Sequence, residues 1–370
     1  MPELLDKVNA SGDPDNLIDM YKNHELVYVP NGGSHDLRKD IACVIYDDKL
    51  SPMENILVFP GGQIAIQTAV MAFAPNCHSI VFTPGYQSTV QCGMYGNQGI
   101  TEIPRRPENN WQVEPQKLRD AIQSNTKLVI LNEPHNPSGI LMSAALQKEI
   151  IDICREHGII ILCDEIYRLL EHEDGLRLPA IANAYEKGIS MVAMSKPWGG
   201  CGITIGWLAC PDKEIVQRLV DVQYFGCVAC SRASEIQARM VLKVSDLILR
   251  ERMEVILYNK SKLINFIENK YSEWFEWKRP NAGAIAFVKC KLLGVSSEEL
   301  GNKLAAIGIS IKPAYVFSTS PCKGVECYFR IGFGERKMLL ALEALEEFVK
   351  ANEADWRLLQ SGSSDITTIQ

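Results

Sequence analysis

The sequence lacks the features of a membrane protein, a secreted protein or a nucleic-acid-binding protein. No run of about 18 or more apolar residues occurs in its 370 residues, so no segment is long enough to cross a bilayer. The first residues, MPELLDK, have neither the basic part nor the apolar core of a secretion signal. The formal net charge is −7, which argues against nucleic acid as a partner. We therefore expect a soluble cytoplasmic protein without nucleic-acid or membrane partners.

The twelve cysteines lack the spacing of a disulfide framework or of a metal site. They are scattered in apolar surroundings, and only Cys227 and Cys230 form a close pair. A structural zinc site needs four ligands, and no second pair stands at a suitable spacing. We therefore expect free, buried thiols and no metal.

At 370 residues the protein is too long for one small core, so we expect two domains. From about residue 46 to residue 250, short apolar strands alternate with amphipathic helices, which is typical of a mostly parallel sheet covered on both faces. The elements predicted after that point are a helix at 244–269, strands at 284–289 and 310–311, and a helix at 339–353. They indicate a second, smaller domain. The polar, serine-rich tail 361–370 is predicted to be flexible.

A lysine stands at the end of one predicted strand, within the stretch 195–207. The apolar run 189–194 indicates a buried strand, so Lys196 lies at its carboxyl end, where open α/β sheets bind ligands. The glycines that follow allow close approach of the backbone, and burial would favour the unprotonated amine. Such a lysine can form an imine with a carbonyl compound, but a surface lysine on a glycine-rich turn would have the same sequence.

Phosphate-binding and aromatic residues follow two other predicted strands at the same edge. The strand 56–59 leads into Gly61, Gly62 and Gln63, and then into a helix whose free amides and dipole can bind phosphate. A glycine at this place can also serve packing alone. After the strand 79–82 comes Tyr86, which can stack on a flat ring or cover the core.

Two further strand ends carry polar side chains. The strand 127–131 is followed by Asn136, which precedes a proline and is therefore held extended, with its amide projecting into the crevice. The strand 159–163 is followed by Asp164 and Tyr167. A carboxylate at the tip of a buried strand is costly unless it meets a cation or several donors, so Asp164 requires a partner there.

Taken in order, these motifs resemble those of the pyridoxal-phosphate enzymes of fold type I, the aspartate aminotransferase superfamily. The residues that carry the resemblance are Gly61-Gly62, Tyr86, Asn136-Pro137-Ser138-Gly139, Asp164-x-x-Tyr167 and Ser195-Lys196. The resemblance extends over nearly the whole sequence. It implies an α/β fold with a large domain, 46–250, built on a mostly parallel seven-stranded sheet. It also implies a smaller α+β domain formed by 1–45 and 251–360, with the N-terminal segment covering the active site.

The resemblance further implies roles toward the cofactor pyridoxal 5'-phosphate and an amino acid substrate. Lys196 would carry the cofactor and move the proton, Asp164 would hold the pyridinium nitrogen, and Tyr167 would complete the catalytic set. The remaining implied contacts are Asn136 and Tyr167 at the ring hydroxyl, Tyr86 on the ring face, Gly62, Gln63, Ser195 and Thr204 at the phosphate, and Arg330, Asn136 and Tyr28 at the substrate. The planar guanidinium of Arg330 can bind an α-carboxylate through two parallel hydrogen bonds. A homodimer is implied, with Tyr28 in the segment that completes the partner's site.

Two positions depart from the family pattern. Thr204 stands eight residues after the lysine, where an arginine usually pairs with the phosphate, and Ala193 replaces a usual serine. The phosphate therefore loses a charged partner and a hydroxyl, which indicates a specialised branch.

Two reactions remain open. The first is transamination of an amino acid with a keto acid acceptor. The second, which we favour, proceeds through an imine between cofactor and substrate and dehydrates and cyclises a hydroxylated arginine-type amino acid, as in the capreomycidine synthase and enduracididine cyclase branch. The acidic residues Asp13, Asp15, Asp19 and Glu25 would then face a guanidinium, although a solvated surface would have the same sequence. A regulator that only binds ligand is disfavoured, since Lys196 and Asp164 are both present.

Overall fold

The computed structural model describes residues 1–73, 76–91, 99–319 and 324–361. Within these ranges the strands form two sheets, one of seven strands and one of four. The strands of the large sheet are β1 (Ile56–Phe59), β2 (His78–Thr83), β3 (Gly99–Pro104), β4 (Thr126–Asn132), β5 (Ile160–Asp164), β6 (Gly188–Ala193) and β7 (Gly206–Ala209). Those of the small sheet are β8 (Phe275–Trp277), β9 (Ile285–Cys290), β10 (Lys312–Pro313) and β11 (Tyr328–Gly332).

The large sheet has the strand order β1-β7-β6-β5-β4-β2-β3. Strand β7 runs antiparallel to both of its neighbours, and the other neighbouring pairs are parallel. The prediction of a mostly parallel seven-stranded sheet is therefore confirmed. Because β4, β5 and β6 are parallel and in register, with Asn132 opposite Asp164 and Asp164 opposite Met191, their carboxyl ends meet at one edge.

Helices cover both faces of the large sheet and one face of the small one. They are α1 (Pro2–Ala10), α2 (Leu17–Asn23), α3 (His35–Tyr46), α4 (Pro52–Asn55), α5 (Gly62–Phe73), α6 (Gln87–Val90), α7 (Pro115–Ala121), α8 (Ala144–Glu156), α9 (Ile181–Ala184), α10 (Lys213–Gly226), α11 (Arg232–Lys243), α12 (Ser245–Ile264), α13 (Ser297–Ala306) and α14 (Met338–Ser361). A single turn of π-helix, Asn265–Lys270, continues α12.

Strand β6 shows why the run before the lysine is apolar at all but one position. Ile189 and Met191 pack into the cluster that includes helix α5, whereas Val192 and Met194 pack into the cluster that includes α3 and α11. Successive side chains of a strand point to opposite faces, so a strand covered on both sides favours apolar residues at successive positions. The exception, Ser190, is buried, and its hydroxyl oxygen accepts from the amide of Ala182 at 3.1 Å. Lys196 comes two residues after Met194, where this double burial ends.

The small sheet is antiparallel, in the order β10-β11-β9-β8. Its apolar face packs against α12, α13 and α14 through residues such as Phe275, Phe329 and Leu345. The strand predicted at 310–311 is wrong: β10 is Lys312–Pro313, because the pairing of these two residues with Arg330 and Phe329 decides its place. Helix α14 extends beyond the predicted 339–353. The predicted tail 361–370 lies, except for Ser361, outside the described residues.

The N-terminal segment packs beside the large sheet. Helices α1, α2 and α3 contact α11, and α3 also contacts β1. Its predicted grouping with the small domain stays a prediction. Ser34, a residue type typical of helix caps, precedes α3, but its hydroxyl does not cap the helix; its backbone amide donates to Oε2 of Glu235 at 3.1 Å.

The acidic residues of this segment have partners within the same protomer. Oδ2 of Asp15 lies 2.6 Å from Arg239 and 3.0 Å from Lys243. The carboxylate of Asp13 accepts from the amide of Ile18, and Oδ1 of Asp19 accepts from the side-chain amide of Asn23 at 2.8 Å. These contacts account for three of the four acidic residues without a ligand, whereas Glu25 is exposed.

The ten cysteines within the described residues are free thiols. Most are buried or half-buried, but Cys43 and Cys201 are exposed, so the expectation of burial is wrong for these two. Across the described part of the protein, no helix combines the length and the apolar character that a membrane crossing requires.

Candidate active site

The residues singled out in the sequence meet at the carboxyl edge of the large sheet. Asp164 is the last residue of β5, and Asn136 follows β4. Lys196 comes three residues after β6, and Tyr86 comes three residues after β2. Gly62 begins helix α5 after β1. Parallel strands in register bring their ends to one edge, so residues far apart in the sequence surround one crevice.

Asp164 is the most strongly perturbed group in this crevice. Its side chain is 1% exposed, and Oδ1 accepts from the amide of Ile166 at 3.1 Å. Oδ2 is buried and has no hydrogen-bond partner in the described structure. Burial raises the pKa of Asp164 from 3.8 to about 7, and the amide of Ile166 and the charge of Lys196 lower it only in part. A buried carboxylate oxygen without a donor fits a protonated ring nitrogen.

Lys196 is exposed, which corrects the expectation of a buried lysine. Its backbone leaves β6 after Ala193, and in the connection that follows Gly199 and Cys201 are exposed whereas Pro197 and Trp198 are buried. The amine nevertheless lies close to the other charged groups of the crevice, because its charge lowers the pKa of both Asp164 and Lys312. An exposed amine beside a buried carboxylate is accessible to an incoming carbonyl compound.

Arg330, on β11, reaches from the small sheet into the same crevice. Its Nη1 donates to Oδ1 of Asn136 at 3.0 Å, and its guanidinium lies over the ring of Phe317, 5.5 Å from the centroid. The backbone amide of Asn136 donates to Oδ1 of Asn132 at 2.7 Å. Burial lowers the pKa of Arg330, and Tyr167 and Tyr86 act in the opposite direction. The pairing leaves donors of Arg330 free for a carboxylate.

The two tyrosines differ in their surroundings. Tyr167 is buried, and burial raises the pKa of its phenol to about 12; Arg330 lowers it, and Asp164 raises it further. Its ring lies so close to Gly283 that a Cβ there would stand 3.2 Å away. Tyr86 is half-buried at the start of α6, near enough to Tyr167 and Arg330 to affect the pKa of each. Tyr86, Tyr167 and Arg330 therefore share one pocket.

The start of helix α5 forms the other end of the crevice. The amides of Gly62, Gln63 and Ile64 are the first of the helix, so they have no carbonyl one turn earlier to bind. The backbone is tightly packed here, since a Cβ on Gly206 would lie 2.7 Å from the nitrogen of Gly62. Only glycine fits such an approach. The Oγ of Ser88 donates to Oε1 of Gln63 at 2.6 Å.

The two departures from the family pattern lie at this same end. Thr204 is exposed, with φ of 57°, and its Cγ2 would be 3.6 Å from a Cβ on Gly61. Ala193 would be 3.5 Å from a Cβ on Gly62. Ser195, a third predicted phosphate contact, is half-buried and close to both in the sequence. The methyl group of Thr204 therefore faces Gly61, while its hydroxyl donates to the carbonyl of Gly202 at 3.5 Å.

Tyr28 is the predicted site residue that the structure does not bring into the crevice. Its side chain is 87% exposed, in the extended segment between α2 and α3. Its contact with a substrate, by way of a partner subunit, stays a prediction.

Two residues beside the crevice were missed in the sequence. Lys312 lies directly opposite Arg330 in the pairing of β10 with β11, and opposite residues of two strands share one face. Its position follows only from strand register, for which the sequence had no signal. His135 is buried within the motif that contains Asn136, so its place in the motif was a signal that could have been used.

Comparisons with known proteins agree with this geometry. The family model for aminotransferase class I and II matches residues 18–345. Aspartate aminotransferase of Pyrococcus horikoshii is 25% identical over 339 residues, covering 89% of this protein and 83% of that one. Capreomycidine synthase of Streptomyces vinaceus is 24% identical over 305 residues, covering 82% and 75%.

Solved structures show the same fold. A PLP-dependent aminotransferase from Streptococcus suis superimposes with a TM-score of 0.85 at 25% identity, covering 94% of this protein and 90% of that one. A mutant aspartate aminotransferase of Thermus thermophilus gives 0.81 at 19% identity, covering 91% and 92%. The unpartnered oxygen of Asp164 and the free amides of α5 fit the two ends of the cofactor that this family uses. The chain belongs to the aminotransferase class I and II family of pyridoxal 5'-phosphate-dependent enzymes.

Proposed function

We propose that this enzyme keeps the amino group on its substrate and dehydrates and cyclises the side chain of a hydroxylated arginine-type amino acid, giving an enduracididine- or capreomycidine-like product. The observation that carries the proposal is the phosphate end of the crevice, where Thr204 and Ala193 replace a charged and a hydroxylated residue. Bound pyridoxal phosphate supplies an electron sink for the substrate Cα.

The uncharged phosphate end bears on the choice between the two reactions. Transamination moves the amino group onto the cofactor, which is then held only by noncovalent contacts until a keto acid arrives. A charge-assisted hydrogen bond contributes about 1.5–3 kcal/mol, so its loss weakens the noncovalent binding of the cofactor by roughly 10- to 100-fold. A reaction that returns the cofactor to Lys196 in every turnover tolerates this loss much better.

The residues of the crevice have separate tasks in the proposed reaction. Arg330, steadied by Asn136, binds the α-carboxylate and orients the substrate. Lys196 takes the proton from Cα and later returns it. Asp164, the anion at the ring nitrogen, keeps that nitrogen protonated, and Tyr167 donates to the ring oxygen. In the net reaction the C–O bond of the substrate's hydroxyl group breaks, a C–N bond to the guanidine forms, and a guanidine proton leaves with the hydroxide as water.

The arginine-type side chain rests on the likeness to capreomycidine synthase. The acidic cluster at the N-terminus no longer supports it, because Asp15 is engaged by Arg239 and Lys243 and Asp13 by the start of α2. The group that binds the guanidinium of the substrate therefore has to be another residue, in this subunit or in a second one.

The second candidate is transamination of an acidic amino acid, which Lys312 favours. This lysine lies opposite Arg330, so the crevice offers two cations to a substrate that carries two carboxylates. The likeness to aspartate aminotransferases points in the same direction.

The experiment that separates the two reactions measures whether a keto acid is needed. Holoenzyme is mixed with γ- or β-hydroxyarginine without any keto acid, and the products are followed by mass spectrometry together with the visible absorbance. We expect many turnovers per subunit, loss of one water and no change in the aldehyde form of the cofactor. Accumulation of the amine form with aspartate or glutamate, relieved by 2-oxoglutarate, would decide for transamination.

A homodimer is part of the proposal. Several large apolar side chains are exposed near the crevice-bearing segments, including Leu26, Tyr28 and Phe225, the last with 89% of its surface accessible. Such side chains favour burial against a second copy. Light scattering of holoenzyme should give the mass of a dimer, and Phe225→Arg should shift it toward the monomer. The free cysteines support the cytoplasm as the compartment.

A further inference from the structure

His135 lies between the loops that carry Tyr86 and Asn136, and its surroundings define how it is bonded. The side chain is 2% exposed. Its Nε2 lies 2.8 Å from the carbonyl oxygen of Pro84, and its Nδ1 lies 2.7 Å from Oγ of Ser138. One ring nitrogen therefore faces the loop before Tyr86, and the other faces the turn after Asn136.

The chemistry of the two partners determines where the ring hydrogen lies. A carbonyl oxygen only accepts, so Nε2 must carry the hydrogen that binds Pro84. Burial, together with the charge of Arg105, lowers the pKa of His135 well below its ordinary value, so the ring is neutral. Nδ1 then has no hydrogen and accepts from the hydroxyl of Ser138, whose oxygen accepts in turn from the amide of Ile140 at 3.2 Å.

The backbone on both sides of His135 is also fixed. Its amide donates to the carbonyl of Ile140 at 2.9 Å, and its carbonyl accepts from the amide of Gly139 at 2.7 Å. The loop it reaches is held from the opposite side, because the amide of Gly85 donates to the carbonyl of Phe317 at 2.7 Å. The imidazole hydrogen-bonds directly from one loop to the other, whereas Arg105 joins them farther from the crevice: its amide donates to the carbonyl of Thr83 at 2.7 Å, and its Nη1 donates to Oε1 of Glu133 at 2.7 Å.

We propose that His135 is a positioning residue for the cofactor ring: its Nε2 hydrogen joins the Tyr86 loop to the Asn136 loop and so sets the width of the slot that receives the ring. The inference rests on the proposed places of Tyr86 and Asn136 beside the ring. It does not depend on which reaction the enzyme catalyses.

A second buried histidine provides a matched control. His78 is equally buried at 2%, and its ring nitrogens lie 2.8 Å and 2.9 Å from the hydroxyls of Thr126 and Thr101. It stands at the first residue of β2, at the opposite edge of the same sheet from the crevice. Replacing His135 removes two buried hydrogen bonds, and replacing His78 removes one buried and one part-buried hydrogen bond together with a 3.3 Å contact to Gln123; only His135 borders the slot.

The test compares apoproteins of His135→Leu, His135→Gln and His78→Leu. Pyridoxal phosphate is titrated into each, and the visible circular dichroism at saturation reports how the ring is held. We expect His135→Leu to raise the Kd about tenfold and to weaken the circular dichroism band. His135→Gln keeps an N–H donor, so its Kd and its circular dichroism band should be close to those of the parent. His78→Leu should lower the Tm and leave the Kd and the band unchanged.

Nitrogen chemical shifts of 15N-histidine-labelled protein give a second readout. We expect His135 to carry its hydrogen on Nε2 and to stay neutral at pH 5. Should His135→Leu fail to fold, His135→Asn, whose shorter amide does not reach Pro84, replaces it with the same expected Kd. The inference would be overturned if the folded His135 variant kept the Kd and the circular dichroism of the parent, or if His78→Leu changed both equally. A ring hydrogen on Nδ1 of His135 would also overturn it.

Discussion

Replacing Asp164 with asparagine should stabilise the apoprotein while it removes the function of the site. The carboxylate is 1% exposed, one of its oxygens has no donor in the described structure, and its pKa is about 7 instead of 3.8. Each pKa unit corresponds to 1.36 kcal/mol, so keeping this group charged at pH 8 costs the folded state about 4 kcal/mol.

The sign and the pH range follow from the raised pKa. Between pH 4 and pH 7 the folded state binds more protons than the unfolded state, so the free energy of unfolding falls as the pH rises. At pH 5 the same relation gives a cost of only about 1.7 kcal/mol. The asparagine can still accept from Ile166, but its buried amide group lacks an acceptor, which costs about 2 kcal/mol.

Asp164→Asn should therefore be more stable than the parent by about 2 kcal/mol at pH 8 and about equally stable at pH 5. For a protein of this length, that difference corresponds to a rise in Tm of about 2–3 °C at pH 8. Thermal unfolding of the two apoproteins at both pH values measures it. Asp152→Asn, at an exposed carboxylate whose pKa is lowered by Lys148, should not be stabilised at either pH.

Added pyridoxal phosphate should reverse the order, because it gives Asp164 the partner that asparagine cannot replace. An Asp164→Asn apoprotein that is equally stabilised at pH 5 and pH 8 would show a packing effect and refute the electrostatic reasoning. An Asp164→Asn apoprotein that is less stable than the parent at pH 8 would show that Oδ2 of Asp164 is solvated in the parent.

Three other substitutions test the site. Lys196→Ala should abolish turnover, and borohydride reduction of the parent holoenzyme should label Lys196; a label on Lys312 would contradict the assignment. Thr204→Arg should lower the Kd for pyridoxal phosphate by roughly 10- to 100-fold, with Thr204→Gln as the uncharged control, and an unchanged Kd would place the phosphate elsewhere. In the second candidate function, Lys312→Met should raise the KM for aspartate about threefold to tenfold with kcat unchanged, because the cation for the second carboxylate is lost. An equal effect on asparagine, which has no side-chain carboxylate, would argue against that contact.

The crevice can be predicted because it depends on strand ends. Apolar runs identify buried strands from the sequence alone, and parallel strands must end at a common edge, so Asp164 and Asn136 are placed together without any knowledge of register. Their burial follows from the same reasoning. The apolar run 189–194 places Lys196 at the same edge. The resemblance then adds Arg330, which no periodicity could connect to the crevice from the small sheet.

What could not be predicted depends on contacts between elements. Lys196 is exposed, whereas Pro197 and Trp198 directly after it are buried, and the glycine-rich sequence is compatible with either environment for the lysine. Ser34 has the residue type of a helix cap, but Glu235, two hundred residues later, takes its amide. The position of Lys312 opposite Arg330 depends on strand pairing, and the sequence of a two-residue strand does not indicate how it pairs.

The antiparallel strand β7 constrains how this site can change in evolution. Phe59, Gly206 and Ala193 stand in one row across β1, β7 and β6, so residues 194–205 form a single connection closed at both ends. Lys196 is near its beginning and Thr204 near its end. Adding or deleting one residue between them would change the separation of the two residues that we propose to contact the aldehyde carbon of the cofactor and its phosphate. Sequence variation in this connection should therefore occur by substitution, with its length preserved among relatives that remain active.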